Sequence, residues 1–420
     1  MKTIKTKKVQ KLNAKSLIVT IDIGKGTHYG YFRAPDGTEV EPFEFHTTRK
    51  SFEKFYNEMK LFAKSQRLEE IVVGFESTGP YGEPLFQYLK DKPVKLVQIN
   101  PMHTKRVKEL TGNSPNKTDR KDPRVIADVI ALGHVLTLVI PQDNAAQLRR
   151  LSHARQRLIK KRNVASNQLN DLTYILFPEF SSIFKKITCK SALYLLKHHP
   201  MPSDIVMMDR QDLIRVLKKL SRGRVDGKRT DALIDAASRS IGIQEGRQAI
   251  AIEISMLIEE LHKIDEHIEQ LEEQMQQDLQ RIAYSESLLS IKGIGVVTVA
   301  GLIGEVGDFH QFKTISEITK LAGLDLFEIS SGKRTNGQRR ISKRGRPLMR
   351  KLLFFAAINT IKTGGIMHEK YQQMLERGMV KIKAVTAISR KLLAVMFALV
   401  RDNAVYVENY RSKHEFKLAA

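Results

Sequence analysis

The chain has 420 residues, of which 42% are hydrophobic, and 70 Lys or Arg against 46 Asp or Glu give a net charge of +24 at pH 7. This is enough chain for several buried cores, and such an excess of cations is self-repulsive unless a polyanion such as nucleic acid supplies the counter-charge. The single cysteine, Cys189, excludes an internal disulfide and a cysteine-rich zinc finger, and it predicts a reducing compartment.

The first 15 residues carry six lysines and predict a flexible basic arm. A signal peptide is not expected, because the apolar stretch that follows is short and contains Asp22. The longest late apolar run, residues 392–400, is too short to span a bilayer and is flanked by cations. We therefore expect a cytoplasmic protein without a membrane segment.

Residues 16–140 show the pattern of one α/β domain. Three strands come first, at 16–24, 27–34 and 39–45, with turn residues between the second and the third. Helices and strands then alternate, with helices predicted at 48–65, 81–90 and 121–135 and strands at 70–76 and 94–99. A strand meander followed by alternating helices and strands is typical of an α/β sheet of RNase H-like, or RuvC-like, character.

After residue 140 the pattern becomes helical. From about residue 144 to 280, within a spacer predicted over 141–284, glycine is scarce and apolar residues follow a heptad-like spacing that is clearest over residues 250–277. This predicts a long helical spacer that forms a coiled coil, and because such helices commonly pair with another copy we expect a homo-oligomer. A second, mainly α domain is predicted over 285–420, with helical periodicity again from Pro347.

Two carboxylates stand at the ends of predicted strands. Asp22 ends the first strand, before Gly24 and Gly26, and Glu76 ends the fourth. Taken singly, an acid at such a position is usually a helix cap or part of a solvated edge. Two of them in one sheet, each flanked by apolar residues, indicate a shared site.

Two further carboxylates, Asp119 and Asp122, lie three residues apart and share a helix face. An N-cap at Asp119 with Asp122 in the first turn is the local alternative. The basic neighbours of this pair are Lys117, Arg120, Lys121 and Arg124. They favour a site that receives phosphate together with bound Mg²⁺, because hard divalent cations need several oxygen ligands and stabilise charge at phosphorus. The 12 histidines show no zinc-ligand spacing, which argues against a zinc site. The segment GKGT at residues 24–27 lacks the upstream glycine of a P-loop.

Residues 288–295 look like a helix-hairpin-helix. In that motif glycines such as Gly293 and Gly295 let backbone N–H groups approach a DNA phosphate at a helix start. Such a contact is independent of base sequence. The alternative is that this Gly-Ile-Gly makes only a tight turn between helices.

The sharpest charge cluster lies between residues 329 and 351, where nine Lys or Arg residues occur without an acid. They are Lys333, Arg334, Arg339, Arg340, Lys343, Arg344, Arg346, Arg350 and Lys351. So many uncompensated cations among glycines favour a phosphate-binding loop over a solvated face. In the same loop Ser330 and Ser331 precede Gly332. By residue type alone, a Ser-Gly pair is most often only a turn.

The order IDIGK, GFESTGPYG and NKTDRKD resembles the DEDD transposases of bacterial insertion sequences, which are related to the pilin-gene invertases and carry a RuvC-like nuclease fold. By this resemblance the four acids are Asp22, Glu76, Asp119 and Asp122, and they hold Mg²⁺. Pro123 departs from the small helix-forming residue expected there, although proline is tolerated in a first helical turn.

Residues 321–357 resemble the C-terminal transposase domain of the same family, whose serine before glycine is the proposed nucleophile. Ser331 is the matching position and Ser330 is its rival, while the segment GLDLFE lacks the proline usual in the family. The resemblance implies strand exchange on double-stranded DNA through a phosphoserine intermediate, guided by a structured RNA from the element's own ends. It also allows a composite site, formed by the acids and the serine and shared between subunits.

Two other functions remain compatible with these residues. One is a RuvC-like junction endonuclease that hydrolyses DNA with metal-activated water and forms no covalent intermediate. The other is a non-catalytic DNA-bridging protein that uses the coiled coil and the basic loop.

Overall fold

The computed structural model describes residues 15–76, 79–111, 122–327 and 339–408. The chain divides into two compact units, Met1–Ile140 and Pro141–Ala420. Within the described ranges, no helix has the length and apolar character needed to cross a membrane.

The N-terminal unit is built on a mixed sheet of five strands with a two-residue sixth, in the order β3-β2-β1-β4-β5-β6. Its first three strands, β1 (Ser16–Ile23), β2 (Thr27–Arg33) and β3 (Glu39–His46), form an antiparallel meander. Strand β4 (Glu70–Glu76) pairs parallel to β1, β5 (Lys95–Ile99) pairs parallel to β4, and β6 (Leu136–Thr137) closes the edge antiparallel. The α/β prediction for this region is confirmed.

Helices cover both faces of the sheet, which explains why β1 reads as an almost continuous apolar run. The odd-numbered residues Leu17, Val19, Ile21 and Ile23 belong to the core that includes α1 (Arg49–Ser65) and α2 (Glu83–Leu89). The even-numbered Ile18 belongs to the opposite core, with α4 (Asp122–Ala131). Because side chains alternate along a strand, Asp22 shares the α4 face of the sheet with Ile18.

The sequence did not predict α3 (Pro101–Thr111), which follows β5 and packs against α4. Its start signal is nevertheless in the chain. Asn100 accepts a hydrogen bond from the backbone N–H of Met102, and Pro101 occupies the first helical position, where its missing N–H costs nothing.

In the C-terminal unit, two helices of 34 residues each, α5 (Asp143–Leu176) and α11 (Arg247–Gln280), lie side by side. Arg155 of α5 meets Glu272 of α11, while Arg162, further along α5, meets the earlier Asp265, so the helices are antiparallel. Helix α11, which carries the heptad pattern, therefore packs against α5 of the same chain. The homo-oligomer stays a prediction.

Five short helices connect this pair: α6 (Phe180–Ile183), α7 (Lys190–His198), α8 (Pro202–Met207), α9 (Arg210–Ser221) and α10 (Gly227–Ser238). The described part of the chain then continues as α12 (Ser285–Leu289), α13 (Val296–Val306), a 3₁₀ turn at Phe309–Gln311, α14 (Ile315–Ala322), the hairpin strands β7 (Leu326–Phe327) and β8 (Arg340–Ile341), α15 (Pro347–Lys362), α16 (Gly365–Glu376) and α17 (Lys381–Arg401). One hydrophobic core joins Leu148 of α5 and Met275 of α11 to residues of α13, α15 and α17. Residues on both sides of the predicted boundary at 284/285 therefore share a core.

Candidate active site

Asp22 and Glu76 lie at the carboxyl ends of neighbouring parallel strands. Ile21 of β1 pairs in register with Phe75 of β4, and the next residues along the two strands are the two acids. Phe75 belongs to the core on the α1 side of the sheet, so Glu76, one residue further, faces the α4 side as Asp22 does. The sheet therefore presents both carboxylates side by side on one face, as the strand-end positions predicted.

The third acid, Asp122, is the first residue of α4, the helix that covers this same face. A buried hydroxyl on β1 fixes the start of the helix, since Thr20 Oγ1 donates to the Pro123 carbonyl oxygen at 2.6 Å. Pro123 is itself buried in the first turn, where a proline needs no N–H partner. The departure from the family pattern at this position is thus accommodated.

Close approach of α4 to the sheet depends on a glycine. A side chain at Gly74 of β4 would place its Cβ 2.3 Å from Ile130 Cδ1 of α4. Only a residue without a side chain lets the helix lie this near, two residues before Glu76.

The electrostatics of Glu76 show that the three acids interact. Burial raises the pKa of its carboxyl, Lys108 opposes this effect, and the Asp22 and Asp122 carboxylates raise the pKa further. Lys108 projects from α3 and forms an ion pair with Asp122, whose side chain is 17% exposed. A cluster of like charges in a half-buried place is stabilised by a cation, and here the cation is Lys108.

Three carboxylates offer only oxygen ligands, and this donor set suits a hard divalent cation in its chemistry. Over the described ranges, no three His, Cys, Asp or Glu side chains are placed to hold one metal ion. Asp119 and its neighbours Lys117, Arg120 and Lys121 lie outside the described residues. In the part of the chain that the structure describes, Asp22, Glu76 and Asp122 thus lie near one another, without the geometry to hold one metal ion.

Sequence reasoning missed Lys108 because it missed the helix that carries it. The N-cap and proline at residues 100 and 101 were the available signal, since the apolar periodicity of this helix is weak.

In the C-terminal unit, Gly293 and Gly295 lie in the turn between α12 and α13. Gly293 has a φ of +86°, and a Cβ there would lie 3.0 Å from the backbone carbonyl carbon of Asn359 in α15. Its lack of a side chain therefore already serves a turn and close helix packing. Gly295 caps α13 and has open space at its Cβ position, so that helix start is unobstructed. Phosphate binding by this turn stays a prediction.

The basic cluster divides into two kinds of residue. Arg339, Arg340, Lys343 and Arg344 are exposed around the β7–β8 hairpin. Arg346 instead has a side chain only 16% exposed, which contacts the Glu305 carboxylate at 3.8 Å and donates to the Glu305 backbone carbonyl. Arg350 likewise donates to the backbone carbonyl of Ala322 at 3.0 Å. The expectation of nine uncompensated cations is corrected at Arg346, which has an acidic partner. The contacts of Arg346 and Arg350 hold the loop base together.

The loop that carries Ser330, Ser331, Lys333 and Arg334 lies outside the described residues, but its base does not. The backbone N–H groups of Ser342, Lys343 and Arg346 donate to the carbonyls of Asp325, Gly323 and Leu321, respectively, at 2.8–3.0 Å. Both ends of the loop are therefore fixed to α14 and the segment after it.

Comparison with known families gives two matches, both to transposases. Residues 19–178 match the family of DEDD transposases described as DEDD_Tnp_IS110, and residues 285–372 match the transposase family IS116/IS110/IS902. The insertion element IS110 uncharacterized 43.6 kDa protein of Streptomyces coelicolor is 24% identical over 92% of this chain and 94% of its own length. The corresponding 44.8 kDa protein of insertion element IS116 in Streptomyces clavuligerus is 25% identical over 92% of this chain and 95% of its own. A pilin gene-inverting protein of Moraxella lacunata is 31% identical over 29% of this chain and 38% of its own.

This protein has a mixed α/β unit with acids at its strand ends and then a mostly helical unit. The family matches place it in the transposase class. The chain belongs to the IS110 family of DEDD-type insertion-sequence transposases, enzymes that cleave and rejoin DNA. Enzymes of this class are typically metal-dependent.

Proposed function

We propose that the chain cleaves and exchanges DNA strands at the ends of a mobile element, using a metal site in an RNase H-like (RuvC-like) N-terminal domain. The observation that carries this is the placement of Asp22 and Glu76 at the ends of neighbouring parallel strands, on the face covered by the helix that begins at Asp122. The strand order, a meander extended by two parallel strands, supports the RNase H-like assignment. Asp119 is proposed as the fourth acid from the family resemblance.

Asp22, Glu76, Asp119 and Asp122 would hold Mg²⁺, since all four offer oxygen ligands. When bound, the ion would stabilise the charge that develops at phosphorus and on the leaving oxygen. Lys108 offsets part of the carboxylate charge through its ion pair with Asp122. The basic residues Lys117, Arg120 and Lys121 are proposed to contact the DNA phosphates next to the cleaved bond.

We propose Ser331 as the nucleophile. Its Oγ forms a bond to phosphorus while one deoxyribose oxygen leaves, and the serine proton passes to a base as the leaving oxygen gains one. The phosphoserine ester conserves the energy of the broken phosphodiester, and a sugar hydroxyl of the partner strand then displaces the serine. Lys333, Arg334, Arg339, Arg340, Lys343 and Arg344 would hold the DNA backbone around this step. A structured guide RNA from the element's ends and a homo-oligomeric assembly complete the proposed complex.

The metal site is tested by strand cleavage on the element's own ends, with RNA transcribed from them and Mg²⁺ present. Asp22→Asn should abolish cleavage while DNA binding and the melting temperature stay unchanged. The matched control is Asp91→Asn, an exposed acid of the same unit, which should cleave as the wild type does. Full cleavage by Asp22→Asn would refute the carboxylate centre. A wild-type chain that binds the element's ends without cleaving them would instead favour the non-catalytic DNA-bridging role.

The serine step is tested by trapping protein–DNA adducts in denaturing gels. Ser331→Ala should lose both the adduct and strand exchange, whereas Ser330→Ala should keep both. Undiminished exchange by Ser331→Ala would contradict the serine mechanism. Cleavage by the wild type without any adduct would favour the junction endonuclease that uses water.

A further inference from the structure

The first half of α5 is strongly basic. Between residues 149 and 162 there are seven Lys or Arg residues and no acid. They are Arg149, Arg150, Arg155, Arg157, Lys160, Lys161 and Arg162. A run of charges on a helix is commonly a solvated face. The contacts of each cation show whether it stabilises the fold or is available to bind a ligand.

Some of these cations form ion pairs inside the C-terminal unit. Arg155 pairs with Glu272 at 2.6 Å and Arg162 with Asp265 at 2.5 Å, both across the α5–α11 contact. Arg149 lies 3.7 Å from the buried Glu305 carboxylate of α13. These three residues hold α5 against its neighbours.

The remaining cations include an exposed group on the side of the helix opposite Arg155 and Arg162. Arg157, Lys160 and Lys161 are exposed, and none has an acidic partner among the described residues. Positions 157, 160 and 161 are three and four residues apart and so share one helix face. We call these three residues the α5 stripe.

The partner helix carries the opposite charge. Helix α11 has nine acids against two Lys or Arg residues. Its exposed acids are Glu253, Glu259, Glu260, Glu266, Glu269 and Glu273. Surface charge that serves only solubility is usually mixed, with both signs on each helix. In this pair the signs are separated, so a polyanion is attracted to the basic half of α5 and repelled by α11.

The α5 stripe lies beside a contact between α5 and α15, the helix that follows the basic loop. Lys351, in the first turns of α15, donates a hydrogen bond to Gln156 Oε1 at 2.8 Å, next to Arg157. Between the hairpin and α15 lie the exposed Lys343 and Arg344. Cations of the hairpin, of α15 and of α5 thus belong to one unit, and α15 contacts α5 directly beside the stripe.

We propose that the α5 stripe binds the phosphate backbone of duplex DNA independently of base sequence, an inference that rests on the transposase function proposed above. Four residues of α-helix span about 6 Å, and one DNA strand advances about 3.4 Å per phosphate along its axis. Three long, flexible side chains within that span reach two or three successive phosphates. DNA is chosen over RNA because DNA is the substrate of the family to which the chain belongs.

The test is the salt dependence of binding to a random-sequence duplex, on the full chain. The variant Arg157→Gln/Lys160→Gln/Lys161→Gln should lower the slope of log Kd against log salt by about 2.7, and weaken binding roughly 100-fold at 0.15 M salt. The matched control, Lys263→Gln/Lys313→Gln/Lys320→Gln, removes the same charge from exposed lysines of the same unit and should change the slope by less than about 1.

Three results would overturn this assignment: a slope that does not change, an equal loss in the control, or a loss confined to duplex RNA. A change in oligomer mass without DNA, with DNA affinity retained, would assign the stripe to a second copy of the chain instead. If the triple variant melts early, Lys161→Gln alone should still lower the slope by about 0.9. Because no cleavage is measured, failure of the catalytic proposal would appear separately, in Asp22→Asn.

Discussion

Thr20 is predicted to position the metal site without touching the metal. Its buried hydroxyl donates to the Pro123 carbonyl at 2.6 Å and so ties β1, which carries Asp22, to the helix start at Asp122. Thr20→Val keeps the side-chain shape but removes this bond, which costs about 1 kcal/mol and lowers the melting temperature by about 4 °C. Freed from this tie, Asp122 should bind metal less well, with Mn²⁺ affinity on the order of tenfold weaker, as measured by calorimetry.

Thr20→Ser is the matched control, because it keeps the hydroxyl and loses a methyl group. Burial of that methyl contributes about 1 kcal/mol, so both variants should lose similar stability. Only Thr20→Val should lose Mn²⁺ affinity. Equal losses of affinity in the two variants would show that metal binding follows general stability, and unchanged affinity in Thr20→Val would refute a positioning role.

Three further changes test the structure at other points. Lys108→Met should bind Mn²⁺ several-fold more tightly in calorimetry, because the ion no longer competes with the Lys108 ammonium for Asp122. Gly74→Ala should lower the free energy of unfolding by about 1–3 kcal/mol, since the new Cβ would lie 2.3 Å from Ile130 Cδ1. Glu305→Gln should destabilise the protein by about 3 kcal/mol in denaturant unfolding, because it removes the buried carboxylate that the half-buried Arg149 and Arg346 contact. The cost of the last change should shrink as the pH falls below the ordinary glutamate pKa of 4.5: burial raises the pKa of Glu305, but hydrogen bonding from His153 and the nearby arginines hold it lower, so its contribution is lost as it protonates.

Each of these changes has a control of the same type at an exposed position. Lys105→Met should leave Mn²⁺ affinity unchanged, Gly26→Ala adds a Cβ with nothing within 4 Å, and Glu286→Gln should leave stability nearly unchanged. A loss of metal affinity in Lys108→Met, or equal destabilisation in a variant and its control, would contradict the corresponding contact.

The positions of Asp22 and Glu76 could be predicted because strand periodicity is a local signal. Apolar runs gave the strands, and parallel pairing brings their carboxyl ends to one edge. The helix carrying Lys108 was not predicted, since helix start signals without strong apolar periodicity are common in loops. The relation of Lys108 to Asp122 depends on packing of α3 against α4, which no local pattern encodes.

Long-range partners account for the other differences. The heptads of α11 predicted a coiled coil, but spacing does not identify the partner, which in this chain includes α5. The sequence predicted Arg346 to be one of nine cations without an acidic partner, because its partner, Glu305, lies 41 residues earlier in the sequence. A charge pattern shows how many cations a segment has, and only the fold shows which of them are already paired.

The carboxylate centre is tested most directly by Mn²⁺ binding to the full chain with Glu76→Gln. Glu70→Gln, at the opposite end of the same strand, is the control. Loss of one ligand charge should weaken Mn²⁺ binding on the order of 100-fold in Glu76→Gln and leave it unchanged in Glu70→Gln. Wild-type affinity in Glu76→Gln would contradict a metal site at this edge of the sheet.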